Sequence, residues 1–359
     1  MLVLALLLAA VPTAWATDEA IPEAPEVVVN TMVPAEEAPA DGSDGSVDIS
    51  SEELPADVPD TVENVEAGAA EAIQLAAGAP WDGTVDISWY DPNQNEFYLS
   101  TPAQLAGLAA LVNGMADPAC PKIIGDQSYL KSQKVEGVML VGAGGGNVSD
   151  TVYTSTVDFS HKTVYLTADM DMGGVYQNGV WSGPNWTPIG GKFPMKPEEV
   201  QGDCLTLDTR FNGVLDGQGH TITNLYCDRY AQKGFPYSMA IGVVGFLGGV
   251  SDTSGTSAGA AFSDGWQPAV RNLVLGSGSI LGRRMVGGIV GRIGQTNNGV
   301  IVENCANCAR VKSTDAKGVG GIVGSAWGDG AIRSCYNVGY ITTTYSSPAG
   351  GIVGTNEGM

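Results

Sequence analysis

The sequence has few of the residues on which most catalytic and nucleic-acid-binding sites depend. Its 359 residues include 2 His and 6 Cys, and 17 basic residues stand against 39 acidic ones, a net charge of −22. This acidic balance argues against nucleic acid and anionic membrane surfaces as partners. No apolar run reaches the roughly 18 residues that a membrane-spanning helix needs, so we expect no membrane insertion of the mature chain.

Basic residues are missing altogether from the first third of the chain. Residues 1 to 121 hold 21 acidic residues and no basic one, because the first basic residue is Lys122. The apolar run at 2 to 11, followed by Ala14-Trp15-Ala16, is typical of a signal peptide, which we assign to residues 1 to 16. Residues 17 to 80, with 16 acidic residues and seven prolines, predict a disordered acidic linker. The alternative is a binding tail for a basic partner.

Residues 81 to 114 predict a strand pair followed by a capping helix. Alternating apolar residues between positions 85 and 99 are typical of half-buried strands. In TPAQLAGLAALVNG, Thr101 suits an N-cap, Pro102 suits the first helical position and Gln104 completes a capping box. Gly114 suits the C-cap. One apolar helix face, expected to cover one end of a β-structure, is formed by Leu105, Leu108, Ala109 and Val112.

The chain between residues 115 and 160 shows no regular pattern. It contains GAGGG at 142 to 146, which is too rich in glycine for a helix or strand. Neither a following GK[ST] nor the Rossmann spacing is present, so this is not a nucleotide-binding loop. We therefore predict an irregular Gly-rich insertion.

From residue 161 to 359 the chain is built of short repeated segments. GGIVG occurs at 287 to 291, 320 to 324 and 350 to 354, with a degenerate copy, GVVGF, at 242 to 246. A second motif reads TNLYC at 223, RNLVL at 271, ENCAN at 303 and RSCYN at 333. Aligning it places in one column Leu225, Leu273, Cys305 and Cys335. The column before it holds Asn224, Asn272, Asn304 and Ser334, and the column two after it holds Asn307 and Asn337.

A period near 30 residues, made of short strands and glycine turns, predicts an all-β fold of the parallel β-helix type. Its coils stack about 4.8 Å apart, so like residues form columns, and stacked Asn side chains can bond along them. Glycine is expected to supply the positive φ of tight corners. On this basis we predict eleven structural residues: Asn307, Asn337, Gly287, Gly288, Gly291, Gly320, Gly321, Gly324, Gly350, Gly351 and Gly354.

Several of these segments resemble the GLUG-motif repeats of bacterial surface proteins. They are FNGVLDGQGHTITNL at 211 to 225, the GGIVG copies, ENCAN and RSCYN; STPAQLAGLAALVNG, KTVYLTADMDM and WTPIG resemble the region that precedes such repeats. The resemblance covers roughly residues 81 to 359. It implies a right-handed β-helix, an exported location and a role as an extracellular module. GLUG repeats also accompany streptococcal IgA1-cleaving metallopeptidases, but this chain lacks their HExxH motif.

No spacing in the sequence predicts a catalytic or metal centre, and no cofactor is expected. Asp169 and Asp171 lie two apart, which we interpret as a solvated strand face rather than as calcium ligands. His220, with Asp216 four residues before it, is the candidate general acid or base. A structural glycine-rich turn is the interpretation we favour there. His161 has no motif around it, and we expect it at the surface.

The cysteines leave two interpretations open. Cys305 and Cys308 form a CxxC, but the second pair that zinc requires and the helix start of a redox site are both missing. Cys305 and Cys335 share a column, so their Cα atoms would lie about 4.8 Å apart, within disulfide range. The alternative, which we favour, is that both are small apolar core residues.

The sequence thus predicts an exported bacterial cell-surface protein that acts as a non-catalytic binding or adhesion module. Its partner would be a protein or glycan ligand on a host or neighbouring cell. The alternatives are an extracellular glycan-active β-helix enzyme, a lyase or hydrolase, and an accessory repeat region of a larger surface peptidase. Because the last GGIVG is followed by only 5 residues, we expect the chain to continue into further repeats or a wall anchor beyond Met359.

Overall fold

The computed structural model describes residues 78–117, 119–141, 147–194, 206–229, 239–249, 262–294, 296–314, 317–327, 330–344 and 348–356. The predicted signal peptide, nearly all of the acidic linker and the GAGGG segment lie outside these residues. Within the described ranges, no helix is both long enough and apolar enough to cross a membrane.

The described chain is a parallel β-helix, as predicted. It runs through six successive coils, and strands pair in parallel with their equivalents in the next coil, except that Gly191–Pro194 pairs antiparallel with Met239–Ile241. We name the sheets A to E in the order in which the chain visits them in one coil. Sheet A consists of Glu96–Leu99, Thr163–Leu166, Val214–Asp216, Ala269–Arg271, Val300–Glu303 and Gly330–Arg333. Sheet B consists of Met170–Asp171, Thr221–Thr223, Val274–Leu275, Ala306–Asn307 and Tyr336–Asn337.

The remaining three sheets complete each coil. Sheet C consists of Leu225–Asp228, Gly278–Gly282, Arg310–Ser313 and Ile341–Thr343. Sheet D consists of Met239–Ile241, Arg284–Gly287, Val319–Gly320 and Ala349–Gly350, and it continues through Gly191–Pro194, Thr206–Thr209, Asn147–Ser155 and Ser132–Val141. Sheet E consists of Val244–Leu247, Val290–Ile293, Val323–Ala326 and Val353–Asn356.

Two features of the chain before residue 161 differ from the prediction. The strands of residues 81 to 99 do not pair with each other, because Val85–Asp86 pairs with Ile123–Ile124 and Glu96–Leu99 joins sheet A. The stretch from 115 to 160 is not wholly irregular either. It contains a short 3₁₀ turn at Gln127–Tyr129 and the antiparallel pair that extends sheet D. Alternation alone identified strands here but not their partners.

The helix at Pro102–Asn113 has the predicted capping box at Thr101 and the predicted left-handed C-cap at Gly114. It is enclosed rather than amphipathic, since 10 of its 12 residues are buried. Its last residue, Asn113, is 1% exposed, donates from Nδ2 to the Pro188 carbonyl at 3.0 Å and accepts from the Gly190 amide at 3.0 Å. This amide side chain fastens the helix to the second coil.

The structure places the GGIVG copies in register. Gly287 pairs with Gly320, which in turn pairs with Gly350. The degenerate GVVGF copy joins the same arrangement through Val244, which pairs with Val290. Each copy forms the corner between a strand of sheet D and the following strand of sheet E.

Close approach of two backbones, and not positive φ, explains these glycines. None of the nine predicted glycines has a positive φ, which corrects the reason given for them. A Cβ built on Gly291, Gly324 or Gly354 would lie less than 3.0 Å from the backbone of a sheet D strand, at Ile241, Met285 or Val319 in turn. Cβ atoms do not occupy such distances, so only glycine lets strands of sheets D and E pack this closely.

Positive φ falls instead on non-glycine residues at the corners. Asn272, Asn304 and Ser334, which follow the strands of sheet A, have φ of 54, 51 and 52°. Asn tolerates this region because its short side chain can bond locally. The column is also bonded along its length, since Asn304 Nδ2 donates to Asn272 Oδ1 at 3.2 Å and Asn272 Nδ2 donates to Asp216 Oδ1 at 3.0 Å.

The first member of the predicted Leu/Cys column is wrong. Leu225 pairs with Gly278 in sheet C, whereas Leu273 lies one residue before the sheet B strand. Asn224 and Asn272 both have a φ of 54° and both precede a buried Leu. The same local turn is therefore used at two different corners, and the alignment of the repeats could not distinguish them.

We predict that Gly324→Ala destabilises the β-helix by about 1–3 kcal/mol, because its Cβ would press on the backbone at Met285. Gly351→Ala is the matched control in the neighbouring copy, since nothing lies within 4 Å of a Cβ there. Thermal unfolding of both variants of the full chain measures the difference. Equal melting temperatures for the two would contradict the close packing of sheets D and E.

Candidate binding surface

The candidate general acid or base, His220, does not contact Asp216 as its partner. Its Nδ1 lies 3.1 Å from Asp169 Oδ1, and the same oxygen accepts from the Thr221 amide at 2.9 Å. Asp216 Oδ2 instead accepts from Arg271 Nε at 2.9 Å. Each carboxylate thus fixes a corner of the β-helix through a different partner.

Asp171 and His161 lie in different environments. Asp171 is 3% exposed and accepts from the Gly173 amide at 2.9 Å and from Asn224 Nδ2 at 3.1 Å, which corrects the expected solvated strand face. His161 is half-exposed; its Nδ1 lies 3.2 Å from Asp264 Oδ2. Among the described residues, no group of three His, Cys, Asp or Glu side chains could hold a metal ion.

The structure places Asn307 and Asn337 in register in sheet B, and Asn307 Nδ2 donates to Asn337 Oδ1 at 2.7 Å.

Cys305 and Cys335 sit two residues earlier in the same two coils, as free thiols. The hydrogen bond with Cys305 lowers the pKa of the Cys335 thiol to about 7. The same hydrogen bond raises the pKa of the Cys305 thiol, and burial of the side chain is the next largest cause of this rise. Cys308 of the CxxC is exposed.

We predict that alkylation of Cys335 by iodoacetamide rises with pH through about 7 and then levels off, because only the thiolate reacts. The rate at Cys308 should keep rising at higher pH, since burial raises its pKa. Peptide mass spectrometry across pH resolves the two sites. Cys305→Ala is the control, and it should move the Cys335 profile to higher pH. Identical profiles in the wild type and in this variant would show that the thiols do not interact.

Exposed large apolar side chains concentrate in two segments of the solenoid. Among the described residues eight such side chains are exposed, and six of them belong either to a hairpin after sheet B of the second coil or to the sixth coil around sheet C: Val175, Tyr176, Val180, Tyr336, Val338 and Tyr340. We call the surface formed by Tyr176, Trp181, Arg310, Lys312 and Tyr340 the hairpin face.

The hairpin stands where later coils have a strand of sheet C. Val175–Gln177 pairs antiparallel with Val180–Ser182, and Asn178 and Gly179 form the turn with φ of 53 and 80°. Positive φ at both central residues is the geometry of a type I′ turn, for which Asn-Gly is the preferred pair. The segment VYQNGVWS carries this signal in the sequence, although the hairpin was not among our predictions.

The hairpin extends along sheet C as far as the fifth coil. The Arg310 guanidinium lies 5.3 Å from the centroid of the Tyr176 ring, and the Tyr176 and Trp181 rings are 5.6 Å apart. Arg310 pairs with Ser279, and its neighbour Val311 pairs with Ile341. Tyr340, which is 69% exposed, therefore stands beside Arg310 in the next coil.

Comparisons with known proteins give one partial structural match and show no family for this chain. No protein-family model and no curated protein matches the sequence, so the GLUG resemblance rests on the quoted segments alone. A solved structure that is similar in part is the crystal structure of a "putative immunoglobulin A1 protease" from Bacteroides ovatus, with 23% identity and a TM-score of 0.34. The match covers 54% of this chain and 55% of that one, about half the length of each.

Proposed function

We propose that this chain is a non-catalytic binding module of an exported bacterial cell-surface protein. It binds a glycan or protein on a host or neighbouring cell through the hairpin face. The observation that carries the proposal is that the exposed Tyr176 of the hairpin lies against the exposed cation Arg310, beside the exposed Tyr340 of the next coil. Scattered exposed apolar residues are ordinary, whereas a concentration of them marks an interaction surface. The resemblance to GLUG repeats supports the exported location.

The composition and rigidity of the face also suit binding. Tyr, Trp and Arg are the residues that contribute most to binding energy at interfaces. Here Tyr340 and Arg310 project from neighbouring coils. Tyr176 projects from the hairpin, and its ring stacks on the Arg310 guanidinium. Side chains that are already positioned lose little freedom when a ligand binds, so more of the contact energy appears as affinity.

We predict that combining Tyr176→Ala with Tyr340→Ala lowers binding of the labelled full chain to a glycan array and to intact cells by about ten-fold or more. Tyr98→Ala is the matched control, because Tyr98 is also exposed, at 58%, but stacks on Tyr165 over sheet A. Circular dichroism should show that all three proteins are folded. Unchanged binding in the double variant, or an equal loss in the control, would contradict a role for the hairpin face.

We also expect the full chain not to depolymerise polygalacturonate or other acidic glycans, with or without calcium. The proposal assigns His220 and Asp216 to corner bonds with Asp169 and Arg271 rather than to a reaction. Product formation measured by reducing ends and by ultraviolet absorbance tests hydrolysis and elimination together. Activity that disappears in a folded His220→Ala or Asp216→Ala variant would replace the binding module with a glycan-active enzyme.

A further inference from the structure

Positive charge concentrates in the last three coils of an otherwise acidic chain. The full chain carries −22, but residues 269 to 356 contain eight basic and three acidic residues, 8 − 3 = +5. One of the three acidic residues, Glu303, lies in the described ranges. Its Oε2 lies 2.7 Å from Arg333 Nη2 on sheet A. The charge of sheet C in these coils is therefore not balanced by this carboxylate.

Two cations of sheet C point outward on the hairpin face. Along Arg310–Ser313 exposure alternates, with Arg310 and Lys312 exposed and the residues between and after them buried. In the fourth coil they are flanked by Ser279 and Leu281, and in the sixth Lys312 pairs with Thr342. None of these neighbours is acidic, so an anion approaching this strand meets positive charge without a competing carboxylate from the adjacent strands.

Aromatic rings lie on two sides of Arg310. The centroid of the Tyr176 ring in the hairpin lies 5.3 Å from the Arg310 guanidinium. Tyr340 lies in the next coil, about 4.8 Å along the solenoid. The row of cation and rings therefore runs along the axis of the β-helix. It can be contacted by a ligand that is extended, carries anionic groups, and has flat apolar faces between them.

We infer that the hairpin face binds a linear glycan that carries carboxylates, a polyuronate. This inference rests on the proposed function, because it names the ligand class of the same surface. The C–H face of a pyranose ring stacks on tyrosine, and the carboxylate of an adjacent sugar unit accepts two parallel hydrogen bonds from a guanidinium. Lys312 adds a second point charge for a neighbouring sugar unit.

Other polyanions fit the surface less well. The attraction of nucleic acid to proteins depends on many cations that neutralise its phosphates, whereas this strand offers two, Arg310 and Lys312. An acidic peptide supplies carboxylates, but it lacks the rigid C–H faces that would lie on Tyr176 and Tyr340. A polyuronate carries its carboxylates on rigid rings with such faces, which is the combination that the row offers.

The test is isothermal titration calorimetry of the full chain with oligogalacturonate and with the same oligosaccharide after its carboxyl groups are reduced to alcohols. Reduction keeps the sugar ring faces and removes only the charge. We expect the reduced ligand to bind about ten-fold more weakly or worse. Binding of the intact ligand should weaken as salt is raised, because exposed charges are screened.

Variants then locate the site. Arg310→Ala and Lys312→Ala should each weaken oligogalacturonate binding by several-fold or more, and Arg310→Lys should weaken it less than Arg310→Ala. Arg333→Ala is the matched control, because Arg333 is an exposed cation of the same coils but lies on sheet A. It should bind like the wild type.

Three results would overturn the inference. If the reduced ligand binds as tightly as the intact one, the face binds glycans without recognising their carboxylates, and the proposed binding module survives. If poly-glutamate or a DNA oligonucleotide binds as tightly as oligogalacturonate, the face recognises charge alone. If oligogalacturonate does not bind, the polyuronate is excluded, while cell binding by the Tyr176 and Tyr340 double variant separately decides whether the face binds anything.

Discussion

The close packing of sheets D and E, made possible by glycine, is the constraint on which the rest of the solenoid depends. Where Gly291, Gly324 and Gly354 meet the backbone of a sheet D strand, no side chain fits between the two backbones. The fourth, fifth and sixth coils therefore carry glycine at the same point, which explains why GGIVG is the best-preserved repeat within the chain. With the backbones fixed at this corner, the strands of sheet A follow in register and bring the inward residues into one continuous core.

The sequence predicted those features that depend on local patterns. The repeat period and the absence of helical patterns predicted parallel stacking, and the caps at Thr101 and Gly114 predicted the helix, because both signals are complete within a few residues. The position of Leu225 was wrong because an Asn followed by Leu makes the same turn at two corners. The predicted solvent exposure of Asp171 was wrong because its hydrogen-bond partner Asn224 lies 53 residues away in the sequence.

The hairpin face could be predicted only in pieces. The type I′ turn at Asn178-Gly179 was visible in the sequence, and so was the excess of basic residues after position 269. Their meeting was not visible, since Tyr176 and Arg310 are 310 − 176 = 134 residues apart. Nothing in either segment shows that a hairpin inserted in the second coil reaches a strand of the fifth. Insertions at the corners of a regular solenoid can thus place new side chains on distant coils.

The length of this hairpin has a consequence for how the solenoid unfolds. In a repeat fold each coil contacts only its neighbours, so coils can separate from the end one after another. The hairpin leaves the second coil and stacks Tyr176 on Arg310 of the fifth, passing over the third and fourth. A cation–π contact of this kind contributes about 0.5–1 kcal/mol. The contact therefore couples the opening of the second coil to that of the fifth by about this amount, which contacts between neighbouring coils alone would not do.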